Sequence, residues 1–600
     1  MSFNFDLTEE RKIFLSKRGK VILSACPGSG KTTVLAYKMV NLVKEVESKH
    51  NKHAGVLCLS FTNVAAQEIL EKYRVFSGFN LGRPSQVMTI DSFVNTYITL
   101  PFYRLLANKD IRPQIVEDLE LDLILKNYVM RFLINRKLIY FIYPPRKFEF
   151  DVNGNFVLPF LSSFTSPQDV ENLGKYVAKL KEVQLDKGIF KNNDSTFIAL
   201  KIIEKFPRIK NYLTTKFPYI LIDEAQDTSE NQYKLIESLT ESNLEDLELV
   251  GDHYQAVYEW RDANPTKFCE LKVDKTWQSC DFTDCRRSNQ SIIDVYSKLR
   301  NSTENKISST SADMVQNPVQ IVLFNEANLV DAAKKYEEIV SSYESNIILS
   351  RGNSLIENLK GISSDKKLPW KLDVPIKLIN AKKYLDSGNI KKSVDIVRSF
   401  IPLLLDNNAP FSERKITERE LKKDCEFNAS LLTLIKKIPS FELSLKEWTK
   451  QGEDLINGLL KQSPNISFEL KKGIWIKEYP KKIVEIFDMQ NNVIKTNVST
   501  IHGVKGKTFD SVFIILNSSS SGQSISINDY VQPTSLPNEK QRLLYVAMSR
   551  PKHLLVIGIP SSTCDVNKAK QLFGNEVQIH QIPESITISS PEIAMSQTNT

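Results

Sequence analysis

Ten residues near the start of the chain carry its densest chemistry: Ser24-Ala25-Cys26-Pro27-Gly28-Ser29-Gly30-Lys31-Thr32-Thr33. A glycine-rich turn ahead of a Lys-Thr pair can aim its backbone N–H groups inward and cradle a polyphosphate. Lys31 then reaches the terminal phosphates and the Thr32 hydroxyl ligates Mg2+. Ala25 stands where the full pattern has glycine. A second constellation is Asp223-Glu224-Ala225-Gln226-Asp227, at the end of the apolar run Tyr219 to Ile222. Two adjacent carboxylates there are costly without a cation. Asp223 suits Mg2+, and Glu224 suits orienting or deprotonating an attacking water. Val250-Gly251-Asp252 follows, then Gln255, Tyr258, Trp260 and Arg261. Gln255 is a candidate γ-phosphate contact. Aromatics in so polar a segment suit stacking on nucleic-acid bases, worth about 1–3 kcal/mol each. The combined chemistry is binding and Mg2+-assisted hydrolysis of a nucleoside triphosphate.

These residues need strands and helices to hold them. Val21 to Leu23 reads as a strand, the ten residues as a turn and Val34 to Val43 as a helix, the setting a phosphate loop requires. Further strands are expected at Val56 to Ser60, Tyr219 to Ile222 and Leu247 to Val250, with a helix from Ala65 to Tyr73. A second α/β group has strands at Val319 to Phe324, Ile347 to Leu349, Ser511 to Leu516 and Leu554 to Ile559, and a helix from Leu329 to Tyr343. Strands alternating with helices predict parallel sheets. Between the strands lie two long, mostly helical stretches, about Tyr97 to Lys210 and Ser354 to Lys495. In the second, Ala381-Lys382-Lys383-Tyr384 with Gly388 reads as a helix pair. Asn301 to Gln316 and Asn517 to Ser526 read as loops, and the Ser/Thr-rich tail beyond Ile582 as disordered.

At 600 residues the chain is too long for one core. Its 41% hydrophobic and 25% charged residues are those of an ordinary globular protein. The N-terminus lacks the charged start and apolar segment of a signal peptide, and no run of about 18 apolar residues predicts a membrane span. Seven scattered cysteines with no Cys-x-x-Cys pair point away from zinc ribbons and disulfide frameworks and toward a reducing, cytoplasmic setting. A net charge of +8 permits a polyanionic partner without demonstrating one.

The motifs, taken in order, resemble those of superfamily 1A DNA helicases of the UvrD/Rep type. The phosphate loop and Asp223 to Asp227 match motifs I and II. Leu59 to Ala66 resembles motif Ia, Thr89 to Phe93 motif Ib, and Gly251 to Gln255 with Tyr258 to Arg261 motif III. Cys285 to Ser288 sits at motif IV, Thr500 to Gly506 at motif V and Gln541 to Arg550 at motif VI. The resemblance spans Leu7 to about Ile559. It implies an α/β fold of two RecA-like parallel-sheet domains, each with a helical insertion: core 1A at 1–96 and 211–290, insertion 1B at 97–210, core 2A at 291–353 and 496–581, insertion 2B at 354–495, and a tail at 582–600. It further implies that Ala25, Cys26, Pro27, Gly28, Ser29, Gly30, Lys31, Thr32, Thr33 and Arg286 bind nucleotide. Thr32 and Asp223 hold Mg2+, Glu224 and Gln255 act on water and phosphate, and Arg287 and Arg550 act as arginine fingers. Phe61, Thr62, Asn63, Ser92, Tyr258, Trp260, His502 and Lys505 serve single-stranded DNA.

Departures from the family pattern cluster around base and sugar. Arg11 replaces a Gln that reads adenine, Thr33 an Arg, Arg286 a stacking Tyr, Thr508 a Glu that meets ribose, and Cys26 a loop Gly. Phosphate chemistry is retained while base recognition is reworked, so selectivity for ATP over other triphosphates is expected to relax. Asp91, where motif Ib often has His, is expected to weaken a strand contact by repelling phosphate. The expected activity is ATP-driven translocation on single-stranded DNA and unwinding of tailed duplex, with 3′ to 5′ movement implied by the resemblance. The alternative is a DNA-sensing ATPase that regulates a partner, such as a nuclease or a repair or defence protein. No carboxylate–lysine nuclease cluster follows motif VI.

Overall fold

A computed structural model describes residues 6–107, 110–151, 154, 166–258, 263–310, 318–352, 355–356, 359, 368–386, 390–405, 411–459, 466–487, 494–522 and 524–583. They form two compact units, 1–284 with 365–487 and 285–364 with 488–600. The tail expected beyond Ile582 lies almost wholly outside the described residues.

The first unit is built on β1 (Lys20–Ala25), β2 (Val56–Ser60), β3 (Gln86–Thr89), β4 (Tyr219–Asp223), β5 (Asp246–Gly251) and β6 (Gln278–Phe282), in the order β6-β1-β5-β4-β2-β3. Every pairing is parallel. β2, β4 and β5 are buried along their whole length, as strands covered on both faces must be. Helix α1 (Glu9–Ser16) precedes β1, α2 (Lys31–Lys49) follows it and α3 (Asn63–Ser77) follows β2. Val34, Leu35, Met39 and Leu42 of α2 pack with Val21 and Leu23 of β1 in one apolar cluster. All the strands run the same way, so the turns after β1, β2, β4 and β5 emerge at one edge, where open α/β sheets bind ligands.

Helices make up most of the remainder of this unit. Asp118–Val129, Pro167–Lys187 and Asn192–Lys205 contribute to a core continuous with the other face of the sheet. Val374–Asp386 and Ile390–Leu405 form the expected pair, tied by the Ser393 hydroxyl donating to the Ala381 carbonyl at 2.6 Å. Gly388 falls outside the described residues. Helix Phe411–Lys423 packs against Asp118–Val129.

The second unit repeats the plan with β7 (Gln320–Phe324), β8 (Asn346–Ser350), β9 (Asn497–Thr500), β10 (Phe509–Ile515), β11 (Pro551–Pro560) and β12 (Gln578–Gln581), in the order β9-β8-β10-β11-β7-β12. These pairings are also parallel. Helix α4 (Glu539–Met548) leads into β11 behind a capping box of Asn538 and Gln541. Four strands that the sequence did not announce, β3, β6, β9 and β12, flank the two sheets. Among the described residues no helix is long and apolar enough to cross a membrane. The seven cysteines form no disulfide.

Candidate nucleotide site and strand-contact loops

The turn after β1 is a folded cradle. Gly28 and Gly30 take φ of +77° and +81°, the left-handed region open to glycine at no steric cost. The Ser29 amide and hydroxyl both donate to the Cys26 carbonyl, at 3.2 and 2.8 Å. Helix α2 starts at Lys31 with no side-chain cap, so its first N–H groups face the turn. Ala25, Cys26, Pro27 and Ser29 are buried, while Gly28, Gly30, Lys31, Thr32 and Thr33 are half-buried along the rim.

β4 and β5 bring carboxylates to Lys31. Its Nζ lies 3.0 Å from Glu224 Oε1. Burial pulls the Lys31 ammonium toward neutrality, but Glu224, Asp223 and Asp252 outweigh that and hold its pKa above the ordinary value. Burial, with the Glu224 charge beside it, raises the Asp223 carboxyl, and Lys31 offsets part of this. Glu224 adopts φ +53° and ψ +41°, a conformation a residue with a Cβ enters at a cost. Bracing holds it there. Gln226 Nε2 donates to Glu224 Oε2 at 2.5 Å, and Gln226 Oε1 accepts from the Asp252 amide at 2.9 Å. The Tyr233 hydroxyl donates to the Ala225 carbonyl at 2.6 Å and fixes the turn. Asp252 in turn accepts from Gln255 Nε2 at 2.7 Å and from the Tyr254 amide at 3.1 Å. Lys31, Asp223, Glu224 and Gln255 thus belong to one network at the ends of three neighbouring strands.

The expected strand contacts lie on the adjoining turns. Phe61, after β2, stacks on Tyr258 with ring centres 5.1 Å apart and planes at 24°. Thr62 and Asn63 are exposed. The Thr62 oxygen caps α3 by accepting from the Ala65 amide at 3.1 Å, which leaves its proton able to donate outward. Exposed Ser92 accepts from the Thr89 hydroxyl at 2.8 Å. Asp91 faces another side chain: its Oδ1 accepts from Gln232 Nε2 at 3.0 Å. Trp260 lies outside the described residues, as do Glu259 and Arg261.

The remaining candidates belong to the second unit. Arg287 Nη1 donates to the Ser549 carbonyl at 3.0 Å, and Arg550 Nη2 donates to the Ser549 hydroxyl at 2.9 Å, so the two guanidiniums meet at one residue. Arg550 is 1% exposed, and its Nε donates to the Val546 carbonyl at 2.9 Å. The segment after Arg286 and Arg287 is stitched to β11 by Ser288 Oγ donating to Pro551 O and Asn289 Nδ2 to His553 O, at 2.6 and 3.0 Å. His502 sits in the short turn His502–Val504, and half-buried Lys505 follows it.

Residues 7–276 match the model of the UvrD/REP helicase N-terminal domain, and residues 445–562 that of the UvrD-like helicase C-terminal domain. The chain belongs to the UvrD/Rep helicase family. It is 24% identical to the ATP-dependent DNA helicase Rep of Buchnera aphidicola, over 92% of each chain. It is 24% identical to a probable DNA helicase II homolog of Mycoplasma pneumoniae, over 93% of this chain and 84% of that one. Identity to the ATP-dependent DNA helicase PcrA of Bacillus subtilis is 28%, over 43% of this chain and 34% of that protein. The two parallel sheets are the RecA-like domains of a UvrD-like helicase.

In this UvrD/Rep-type chain, Arg11 is part of the loop's own support. It is 5% exposed, and it donates to the Ser29 carbonyl at 2.9 Å and to the Asp6 carbonyl at 2.6 Å. A Cβ on Gly30 would come within 2.9 Å of Arg11 Nη2, so the bare glycine also makes room for the guanidinium. The residue at the adenine-reading position therefore fastens α1 to the phosphate loop. Sequence reasoning gave no role to Gln226 or Asp252. The available signal was two polar residues at the ends of strands too apolar to leave them unpartnered.

Proposed function

We propose that this chain is an ATP-dependent DNA helicase that moves 3′ to 5′ along single-stranded DNA and unwinds tailed duplex in the cytoplasm. The observation that supports the reading best is the network joining Lys31, Asp223, Glu224 and, through Asp252, Gln255 at the ends of adjacent strands. Lys31 and the loop amides bind the phosphates of ATP. Buried Asp223, its carboxyl raised by burial and by the Glu224 charge, gains a partner when a cation that shares phosphate oxygens sits beside it. Thr32 and Asp223 would hold Mg2+, and the ion supplies charge neutralisation on the phosphates. Glu224, fixed by Gln226, orients the attacking water and takes its proton, while Gln255 contacts the γ-phosphate. Arg287 and Arg550 supply the cationic groups that stabilise the transferring phosphoryl, an effect of about 10³–10⁵ in rate. Phe61, Thr62, Asn63, Ser92, Tyr258, Trp260, His502 and Lys505 hold the strand through backbone bonds and base stacking. The seven free cysteines support a reducing compartment.

The test is ATP hydrolysis with and without single-stranded DNA, followed by unwinding of 3′- and 5′-tailed duplexes. DNA-stimulated hydrolysis and displacement of the 3′-tailed substrate are expected. Hydrolysis without displacement of either substrate would reject unwinding, and preference for the 5′ tail would reject the direction.

A further inference from the structure

A single side-chain amide lies between the hydrolytic carboxylates and the strand-contact loops. Ser229 comes two residues after Asp227 and begins helix Glu230–Leu239. Gln232 Oε1 accepts from the Ser229 amide at 3.0 Å, and Ser229 Oγ accepts from the Gln232 amide at 3.3 Å. The other end of the same Gln232 amide donates to Asp91 Oδ1, the neighbour of Ser92. Ser229 also bridges Ala263 in antiparallel fashion, and the Asn264 amide donates to the Thr228 carbonyl at 3.0 Å. Thr228 and Ser229 are therefore joined both to the turn that carries Ser92 and to the far end of the segment that carries Tyr258 and Trp260. Gln232 is 7% exposed, and its amide is planar, so one end cannot shift without turning the other.

We propose that Gln232 is a positioning residue that couples the Asp223–Asp227 turn to the Ser92 loop, so that DNA bound at that loop alters hydrolysis at Glu224. This rests on the DNA-stimulated ATPase reading above. Asp91, expected to repel the strand, serves as the acceptor for this link.

Gln232→Glu separates coupling from folding. A carboxylate still accepts from the Ser229 amide, and Ser-x-x-Glu is as good a helix start as Ser-x-x-Gln. Its second oxygen, however, faces Asp91, where two acceptors and two negative charges cannot bond. Asp91→Asn alone keeps an acceptor for Gln232 and is expected to keep wild-type basal turnover and maximal stimulation, with half-stimulation at an equal or lower DNA concentration because a negative charge near the strand is lost. In the double variant the new amide at position 91 donates to the carboxylate at 232, restoring the link with its polarity reversed. The measurements are turnover without DNA, turnover at saturating single-stranded DNA, the DNA concentration for half-stimulation, and the melting temperature. For Gln232→Glu, DNA stimulation should fall about five- to tenfold, within the usual range of site-to-site coupling, with basal turnover unchanged and melting lowered by the few degrees that one buried like-charge contact costs. The double variant should return to within about twofold of wild type. Full stimulation in Gln232→Glu, a parallel loss of basal turnover, or failure of Asp91→Asn to restore it would each overturn the inference. A wild-type enzyme indifferent to DNA would overturn the proposed function, and the inference with it.

Discussion

Gly251→Ala tests the brace on Glu224, the carboxylate proposed to act in hydrolysis. Gly251 ends β5 beneath the Gln226 side chain. Its backbone lies outside the left-handed region, so space alone demands the glycine. A Cβ there would fall inside contact distance of Gln226 Oε1, 3.1 Å from Phe268 Cε2 and 3.2 Å from the Gln226 amide nitrogen. Gln226 is fully buried and bonds both Glu224 and Asp252. Moving it aside leaves at least one buried donor unpaired, at about 1–3 kcal/mol. Crowding Phe268 adds about 1–3 kcal/mol. The total, about 2–6 kcal/mol, is large against the stability of one domain and lowers melting by several degrees. Glu224 also loses the bond that aims its carboxylate, so the DNA-stimulated kcat should drop more than tenfold, since about 1.4 kcal/mol in the barrier suffices. The KM for ATP should change less, because Lys31 and the loop stay in place. Thermal melting with steady-state ATPase kinetics decides the matter. A variant that melts and turns over as wild type does would refute the assignment of Gln226 as the brace.

Further outcomes are expected at other residues. Lys31→Ala should abolish turnover through loss of the phosphate cation, whereas Glu224→Gln should bind a fluorescent ATP analogue normally and fail to hydrolyse ATP; a catalytically active Glu224→Gln would remove Glu224 from the mechanism. GTP and CTP should support turnover within about tenfold of ATP, and a strict ATP preference would reject this; Arg11→Ala should lower turnover with all three nucleotides alike because the guanidinium holds the loop carbonyl, and a loss confined to one of them would reject that role. Trp260→Ala should reduce DNA stimulation more than basal hydrolysis, and equal losses would contradict a stacking role. Asp194 is fully buried, and burial, partly countered by Lys191, raises its carboxyl to about 6. The folded state then holds this proton more tightly than the unfolded chain, so stability contributed below the unfolded pKa near 3.8 is lost as pH climbs through about 6. Asp194→Asn should flatten the difference in urea midpoint between about pH 5 and pH 7.5, and an unchanged slope would show that another group sets it.

The central strands were legible because they are uninterrupted apolar runs, such as Tyr219 to Ile222 and Phe513 to Ile515. The flanking strands were not. Gln86-Val87-Met88-Thr89, Gln278-Ser279-Cys280-Asp281, Asn497-Val498-Ser499-Thr500 and Gln578-Ile579-His580-Gln581 mix polar and apolar residues because each sits near or at an open edge and is only partly covered. Parallel pairing added to the difficulty, since no turn announces the partner. Lys31, Asp223, Glu224 and Arg550 could be singled out as candidates from sequence because phosphate chemistry restricts which side chains suit it. Gln226, Gln232 and Asp252 could not, because they act on other protein groups, and a buried amide or carboxylate has the same letter whether it holds a ligand or a neighbour. Arg11 shows the ambiguity directly: it stands where the family pattern has a base-reading Gln, while its bonds to Asp6 and Ser29 run to backbone carbonyls.

The position of β1 has a consequence for biosynthesis. Val21 pairs with Glu248 on one side and with Gln278 on the other. A nascent polypeptide thus displays β1 long before either neighbour has left the ribosome, and a strand with so apolar a centre and both edges bare is an invitation to aggregate. Nucleotide cannot rescue such an intermediate, because the Asp223 to Gln255 side of its site is also unmade. Protein-synthesis products that stop short of Phe282 should accumulate as insoluble material or chaperone clients, and capture of ATP should begin only after that point in elongation.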